Sequence, residues 1–390
     1  MTLAVALILC PLALLTLCFG IELIAGVRPI GRRQVGSARD AAAVIVIPAH
    51  DEELIIGATL EALRHVADNW IRILVVADNC EDGTAKIATN MGVEVVERID
   101  HARRGKGFAL DFARQHLRAD PPAIVVIIDA DCTAAPGSIE RLVAACAMSG
   151  RPCQASYVQT PAPDGPPALQ LSTFAFYIKN VVRQRALQRL AGRVHLLGTG
   201  MAFPWALFEQ VELATANIVE DLETGLQLAS AGHPPLAVEE AIVSSDPAAQ
   251  ADTLEQRRRW EGGYLASAAR WAPRMIVRSL TRGDLGGLWA ALDLLIPPLA
   301  LLVTLDVAAL LAAALLHAFV GGALWPLLAL AAALVFAGIA LAIAWAAGGS
   351  RYVTLGGLAR IPVYLLWKLP LYAGLARKGS PKEWVRTRRG

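Results

Sequence analysis

The apolar residues of this chain lie at its two ends, and that distribution limits the fold more than any single motif. Thr2 to Val27 carries one charge, Glu22, and Leu285 to Gly349 is rich in Leu and Ala. From about Arg28 to Arg282 the polarity is that of an ordinary globular domain. With 55% hydrophobic residues over 390 positions and a mean hydropathy of +0.47, the chain is more apolar than a soluble enzyme of its length. Membrane helices are therefore expected. The polar middle, roughly 250 residues, is long enough for one large α/β domain with its own core.

No positive charge precedes the first apolar run, whereas Arg28, Arg32 and Arg33 follow it. This pattern predicts an uncleaved helix with its N-terminus outside and the next domain cytoplasmic. In the C-terminal part Pro297-Pro298 divides the apolar stretch. An interfacial helix is expected before the prolines, a spanning helix after them to about Leu316, and a second span from about Leu324 to Ala347. Tyr352 to Leu375 is apolar but contains Arg360, Lys368, Pro362, Pro370 and Gly374, which predicts a re-entrant or interfacial helix. The basic tail after it is expected to stay cytoplasmic.

The formal net charge is only +2, and nothing in the chain points to nucleic acid. The six cysteines (Cys10, Cys18, Cys80, Cys132, Cys146, Cys153) form no pair or cluster with zinc spacing.

Within the middle, short β-branched runs alternate with helical patterns. Strands are expected at Ala42–Pro48, Ile71–Ala77, Val93–Glu97 and Ala123–Asp129, with helices at about Glu53–Val66, Thr84–Asn90 and Gly105–Leu117. That alternation predicts a mostly parallel sheet covered on both faces. Ligands of such sheets bind beyond the carboxyl ends of the strands. The polar residues at those ends are the candidates for chemistry.

The fourth strand ends in Asp129-Ala130-Asp131, two carboxylates that can face a divalent cation carrying a diphosphate. The second ends at Asp78, which can accept hydrogen bonds from a base or ribose, while Asp82-Gly83-Thr84 turns the chain. The first ends in PAHDEE, with Glu52 at an equivalent depth. Lys106, in RGKG, can meet a phosphate. Ile218 to Leu222 reads IVEDL, where the carboxylate pair serves either as a helix cap or as a general base. Near 253–264 the run TLEQRRRWEGGY sets three consecutive arginines before a tryptophan.

PAHDE, VVADNCEDGT, RGKGFAL, DAD, GTGM, VED and QRRRW, in this order between apolar segments, resemble the processive-type family 2 glycosyltransferases. These membrane-embedded enzymes include cellulose, chitin, hyaluronan and poly-N-acetylglucosamine synthases. The resemblance implies a GT-A (Rossmann-like) cytoplasmic domain plus transmembrane helices, and inverting transfer from a nucleotide sugar, a UDP-sugar first. By position, Asp221 would be the catalytic base. Glu52, Asp78, Lys106, Asp129, Gln256 and Arg259 would bind the donor nucleotide and diphosphate. Gly198, Thr199, Gly200, Glu220 and Trp260 would face the acceptor. Asp129 and Asp131 would hold Mg2+ or Mn2+. Gln256, Arg259 and Trp260 fall at i, i+3 and i+4, on one helical face; Arg257 and Arg258 fall off it and are expected to meet lipid headgroups or neighbouring acids.

The implied partners are the nucleotide-sugar donor, a carbohydrate or glycolipid acceptor, the lipid bilayer and other polysaccharide-export subunits. The implied layout is a transmembrane helix over 1–27, the GT-A domain over 28–250, interfacial helices over 251–296, two transmembrane helices over 297–347, and a re-entrant or interfacial helix with a basic tail over 348–390. It makes the chain a multi-pass protein of the cytoplasmic (inner) membrane. Three positions depart from the family pattern: Val219 replaces the usual threonine, Ala77 the first acid of a pair, and Asp51 an asparagine. Three spans also imply a narrow channel, so polymer secretion by this chain alone is not expected. The alternative is a nucleotide-sugar-binding subunit without catalysis. A nucleotidyltransferase would need a basic glycine-rich first loop, where this chain has PAHDEE.

Overall fold

The computed structural model describes residues 2–31, 41–67, 70–215, 219–247 and 250–379. Arg32, Arg33, Ile218 and the tail beyond 379 lie outside the described residues, as does the side chain of Gln256. The chain forms two compact units. One gathers Ile30–Thr160 and Arg193–Asp252; the other gathers Met1–Pro29, Pro161–Gly192 and Thr253–Ser380.

The first unit is built on an eight-stranded sheet. Its strands are β1 (Ala43–Ala49), β2 (Ile71–Asp78), β3 (Glu94–Arg98), β4 (Ile124–Ile127), β5 (Cys132–Ala134), β6 (Cys153–Gln159), β7 (Met201–Pro204) and β8 (Leu236–Ser245). They lie in the order β3-β2-β1-β4-β7-β6-β8-β5. The four strands expected from sequence are parallel neighbours. Beyond them β7 runs antiparallel to both β4 and β6, and β5 antiparallel to β8, while β6 and β8 are parallel. The sheet is therefore mixed, with parallel pairings as expected in its first half and antiparallel ones added by β5 and β7. Hydrophobic periodicity marks a strand but not its direction, and these later strands are set only by tertiary pairing.

Side chains alternate across the sheet with period two. Ile45, Ile47, Val75 and Val126 point to one face, where Leu60 and Leu63 of helix Ile56–Val66 and Leu142 of helix Ser138–Ser149 cover them. Val44, Val46, Leu74, Val76 and Val125 point to the other, under Ala109, Leu110, Ala113 and Leu117 of helix Lys106–Leu117. Burying each large aliphatic side chain contributes about 1.5–3 kcal/mol, so both layers are fixed and the strand ends are held in place. The helix expected from Glu53 starts later, at Ile56. Glu52 and Glu53 instead donate their N–H groups to Thr84 Oγ1 (2.7 Å) and Asp82 Oδ2 (3.1 Å), which ties the turn after β1 to the turn after β2.

The second unit is helical. Helices Val5–Gly26, Leu299–Val320 and Trp325–Ala347 are long and apolar enough to cross a membrane. The helix expected to end near Leu316 continues to Val320. Leu285–Leu295 precedes the proline pair, and Ile361–Lys378 runs through Pro370 as a separate helix. Pro167–Tyr177 and Arg183–Ala191 are joined by the π turn Ile178–Val182. A single helix, Gln250–Arg282, carries QRRRW.

Candidate active site

The site of the sheet unit is built where β1, β2 and β4 end. Beyond β4 the chain turns at Asp129, whose backbone N–H donates to Thr199 Oγ1 at 3.1 Å. Thr199 is fully buried, so its hydroxyl fixes one loop against the other. Gly198 and Gly200, on either side, have φ of +88° and +64°. At Gly200 a Cβ would meet Ala155 Cβ at 2.9 Å, so this position needs glycine for both backbone and space.

Lys106, first residue of its helix, reaches this turn. Its Nζ contacts Asp129 Oδ1 and donates to Gly198 O at 2.7 Å. A Cβ added to Gly198 would lie 3.4 Å from Asp221 Oδ2 and 3.7 Å from Lys106 Nζ, so Asp221 flanks the same point. Burial works to lower the Lys106 ammonium, but Asp129, Glu220 and Asp221 outweigh it and hold it well above the ordinary lysine range. Burial raises the Asp129 carboxyl, Lys106 opposes this, and Asp131 and Asp221 add to the rise. Glu220 is raised by burial and then by Asp221. Glu220 and Asp221 open the helix Glu220–Ser230, where negative charge is favoured.

Oxygens of Asp129 and Asp131 and the sulfur of Cys132 lie within 4.8 Å of one another and could hold a metal ion. Burial first, then the two aspartates, push the Cys132 thiol up. Cys132 Sγ donates to Asp131 Oδ1 at 3.4 Å. The two carboxylates thus provide the hard oxygen donors that Mg2+ and Mn2+ take, and the protonated thiol supports one of them.

Asp78 ends β2 in a second part of the site. Arg98, the last residue of β3, donates to Asp78 Oδ1 at 2.6 Å, and Asn79 Nδ2 donates to it at 3.0 Å. Burial raises the Asp78 carboxyl despite Arg98. Asn79 has φ +54° and Asp51 φ +53°, backbone that asparagine and aspartate tolerate best. Asp51 accepts from Glu81 N at 2.7 Å, and Asp82 from Thr84 N at 2.9 Å, so both acids order the loop.

Of the residues singled out from sequence, Lys106, Asp129, Asp131, Gly198, Thr199, Gly200, Glu220 and Asp221 thus meet around one turn. Asp78 and Glu52 belong to the neighbouring strand-end loops. Arg259 and Trp260 belong to the helical unit, the first buried and the second exposed. Gln256 lies outside the described side chains. Sequence reasoning missed Arg98 and Asn79. Arg98 lies at the end of an expected strand, but only the β3-β2 pairing brings it to Asp78.

Residues 41–263 match the family model for glycosyltransferase like family 2. The chain belongs to this family. Among solved structures, this family 2 chain is similar to a mannosyltransferase from Pyrobaculum calidifontis in complex with GDP-Man and Mn2+. The two are 18% identical with a TM-score of 0.58, and the match covers 95% of this chain and 100% of that one. A glucosyl-3-phosphoglycerate synthase from Mycobacterium tuberculosis, in complex with Mn2+, UDP and glucosyl-3-phosphoglycerate, matches over 61% of this chain and 86% of its own, with 18% identity and a TM-score of 0.41. An uncharacterized protein from Methanocaldococcus jannaschii is 35% identical over 99 residues, 25% of this chain; the match spans only 39% of that protein. The glycosyltransferase thus has a GT-A-like mixed sheet, with helices and three helices long enough to span a membrane.

Proposed function

We propose that the chain is an inverting, processive-type glycosyltransferase. It moves a hexosyl group from a nucleotide sugar to a polysaccharide, polyprenyl-linked or lipid acceptor at the cytoplasmic face of the inner membrane. The observation that carries this reading is Lys106 Nζ, set between Asp129 and the Gly198 carbonyl with Asp221 beside them. A half-buried cation and a half-buried carboxylate around one small space suit an anionic leaving group and a proton acceptor.

Asp221 takes the proton of the acceptor hydroxyl, and the freed oxygen attacks the anomeric carbon. The bond from that carbon to the diphosphate breaks on the opposite side, so one displacement inverts the centre. Lys106 faces the departing diphosphate. Asp129 and Asp131 would hold Mg2+ or Mn2+, which when bound neutralises charge on a diphosphate. Asp78 orients the nucleotide base, itself oriented by Arg98. Thr199 acts by positioning the Gly198–Gly200 loop, along which the acceptor lies with Glu220.

Purified protein should be offered UDP- and GDP-sugars with Mn2+ or Mg2+, the GDP series being included because the Pyrobaculum calidifontis neighbour was solved with GDP-Man. The expected result is metal-dependent release of the nucleoside diphosphate and a product of inverted anomeric configuration. Absence of turnover with every donor would instead fit a nucleotide-sugar-binding subunit.

A further inference from the structure

In the sheet unit, β6 and β7 pair at two positions, Cys153 with Ala202 and Gln154 with Met201. Before Met201 lies the loop in which Gly198 and Gly200 have positive φ. Two such glycines give a backbone its greatest freedom. Yet the carbonyl of the first is aimed at Lys106 Nζ, 2.7 Å away. The direction of that carbonyl has to be held by something other than the glycines.

Gln154 meets the loop with its side chain, which is buried. A carboxamide offers an acceptor oxygen and two N–H donors, the groups of a peptide bond with one donor more. Oε1 accepts from Leu197 N at 2.9 Å. Nε2 donates to Thr199 O at 2.9 Å, with Ala155 O at 2.9 Å and Gly200 O at 3.3 Å beside it. These partners fix which end of the amide is which, since an N–H needs an acceptor and a carbonyl needs a donor. Next to it Ala155 N donates to Gly200 O at 2.8 Å. The amide thus adds a rung to the β6–β7 ladder where backbone pairing has ended. It grips the loop by the N–H before Gly198 and by the C=O after it.

We infer that Gln154 is a positioning residue of this site. It sets the direction of the Gly198 carbonyl and, through that carbonyl, the place of Lys106 Nζ between Gly198 and Asp129. Leu197 and Thr199 flank Gly198, so holding one group of each leaves the peptide between them little room to turn. Without the grip the Gly198 carbonyl swings away and Lys106 keeps only Asp129. Where chemistry depends on placement, a shift of about 1 Å can cost about 10²-fold in rate. Gln154 does this without touching donor or acceptor. The effect on transfer rests on the transferase reading; the grip on the loop does not.

The test compares the full chain with two variants: Gln154→Met, close in volume but without hydrogen bonds, and Gln154→Asn, which keeps the amide one methylene short. Hydrogen–deuterium exchange reads the grip at the Leu197 amide, which should exchange about tenfold faster in both variants. With an active donor, kcat should fall about tenfold while the donor KM moves by less than about twofold, because Lys106 acts on charge that develops during transfer. In a Lys106→Met background, Gln154→Met should lower kcat by less than about twofold further, since the two act through one contact. A role in folding alone would lower the thermal midpoint and leave the two losses independent. The inference is overturned if Leu197 exchanges at the parent rate in both variants, if kcat is unchanged, or if the two losses multiply. Unchanged exchange alongside intact donor turnover removes the role of Gln154 alone. Faster exchange in the variants, with no donor turned over by the parent, upholds the grip and removes the transferase reading.

Discussion

Arg98 Nη1 donates to Asp78 Oδ1 at 2.6 Å, and both side chains are buried. The acid assigned to the nucleotide base is therefore paired with a cation from the neighbouring strand. Removing one partner of a buried pair leaves the other charge uncompensated. Arg98→Met should destabilise the sheet unit by about 3–5 kcal/mol, and Asp78→Asn in that background should recover part of the loss. Denaturant titration of the three variants checks this; an unchanged midpoint for Arg98→Met would contradict it.

Lys106 answers to Asp129, the Gly198 carbonyl, Glu220 and Asp221 at once. Lys106→Met should lower transfer by about 10²-fold or more, the range for loss of one preorganised donor at a developing charge. Lys106→Arg should not restore it, because a planar fork cannot replace a compact ammonium between those oxygens. Steady-state kinetics with the active donor measure both.

Glu220 tests the electrostatics by pH. Burial and Asp221 raise its carboxyl above the ordinary 4.5. A raised folded value means that the folded state binds the proton more tightly. The associated stability is complete below about 4.5 and is lost as pH climbs to the raised value. Glu220→Gln removes that loss, so its thermal midpoint should gain on the parent's progressively from pH 5 upward. A difference independent of pH would show that Glu220 is not perturbed.

In the helical unit, a Cβ on Gly26 would lie 1.9 Å from the Val182 carbonyl oxygen, at the end of the π turn. The first helix thus approaches that turn backbone to backbone. Gly26→Ala should cost about 1–3 kcal/mol as an overpacking strain, seen as a lowered thermal midpoint of the purified protein.

What the sequence disclosed and withheld follows from how each feature is encoded. The runs AVIVIP and IRILVVA announce buried strands because both faces are covered, and acids at their ends follow from sheet geometry. Lys106 was visible because RGKG precedes an amphipathic helix. Arg98 was not, since its role depends on which strand lies beside β2, and one sequence does not carry strand order. The directions of β5 and β7 were hidden for the same reason. The π turn at 178–182 has helical composition throughout and shows only in backbone geometry. Arg257 was expected to meet a headgroup or an acid; it stands 3.9 Å from Glu261 and donates to Ser172 O at 3.3 Å.

The central claim is that Asp221 is the base of a sugar transfer, and single-turnover transfer by the Asp221→Asn variant tests it most directly. With saturating nucleotide sugar and Mn2+, the account expects transfer to fall by about 10²–10⁴-fold while binding of the nucleoside diphosphate is unchanged. Transfer at the parent rate by Asp221→Asn would contradict it.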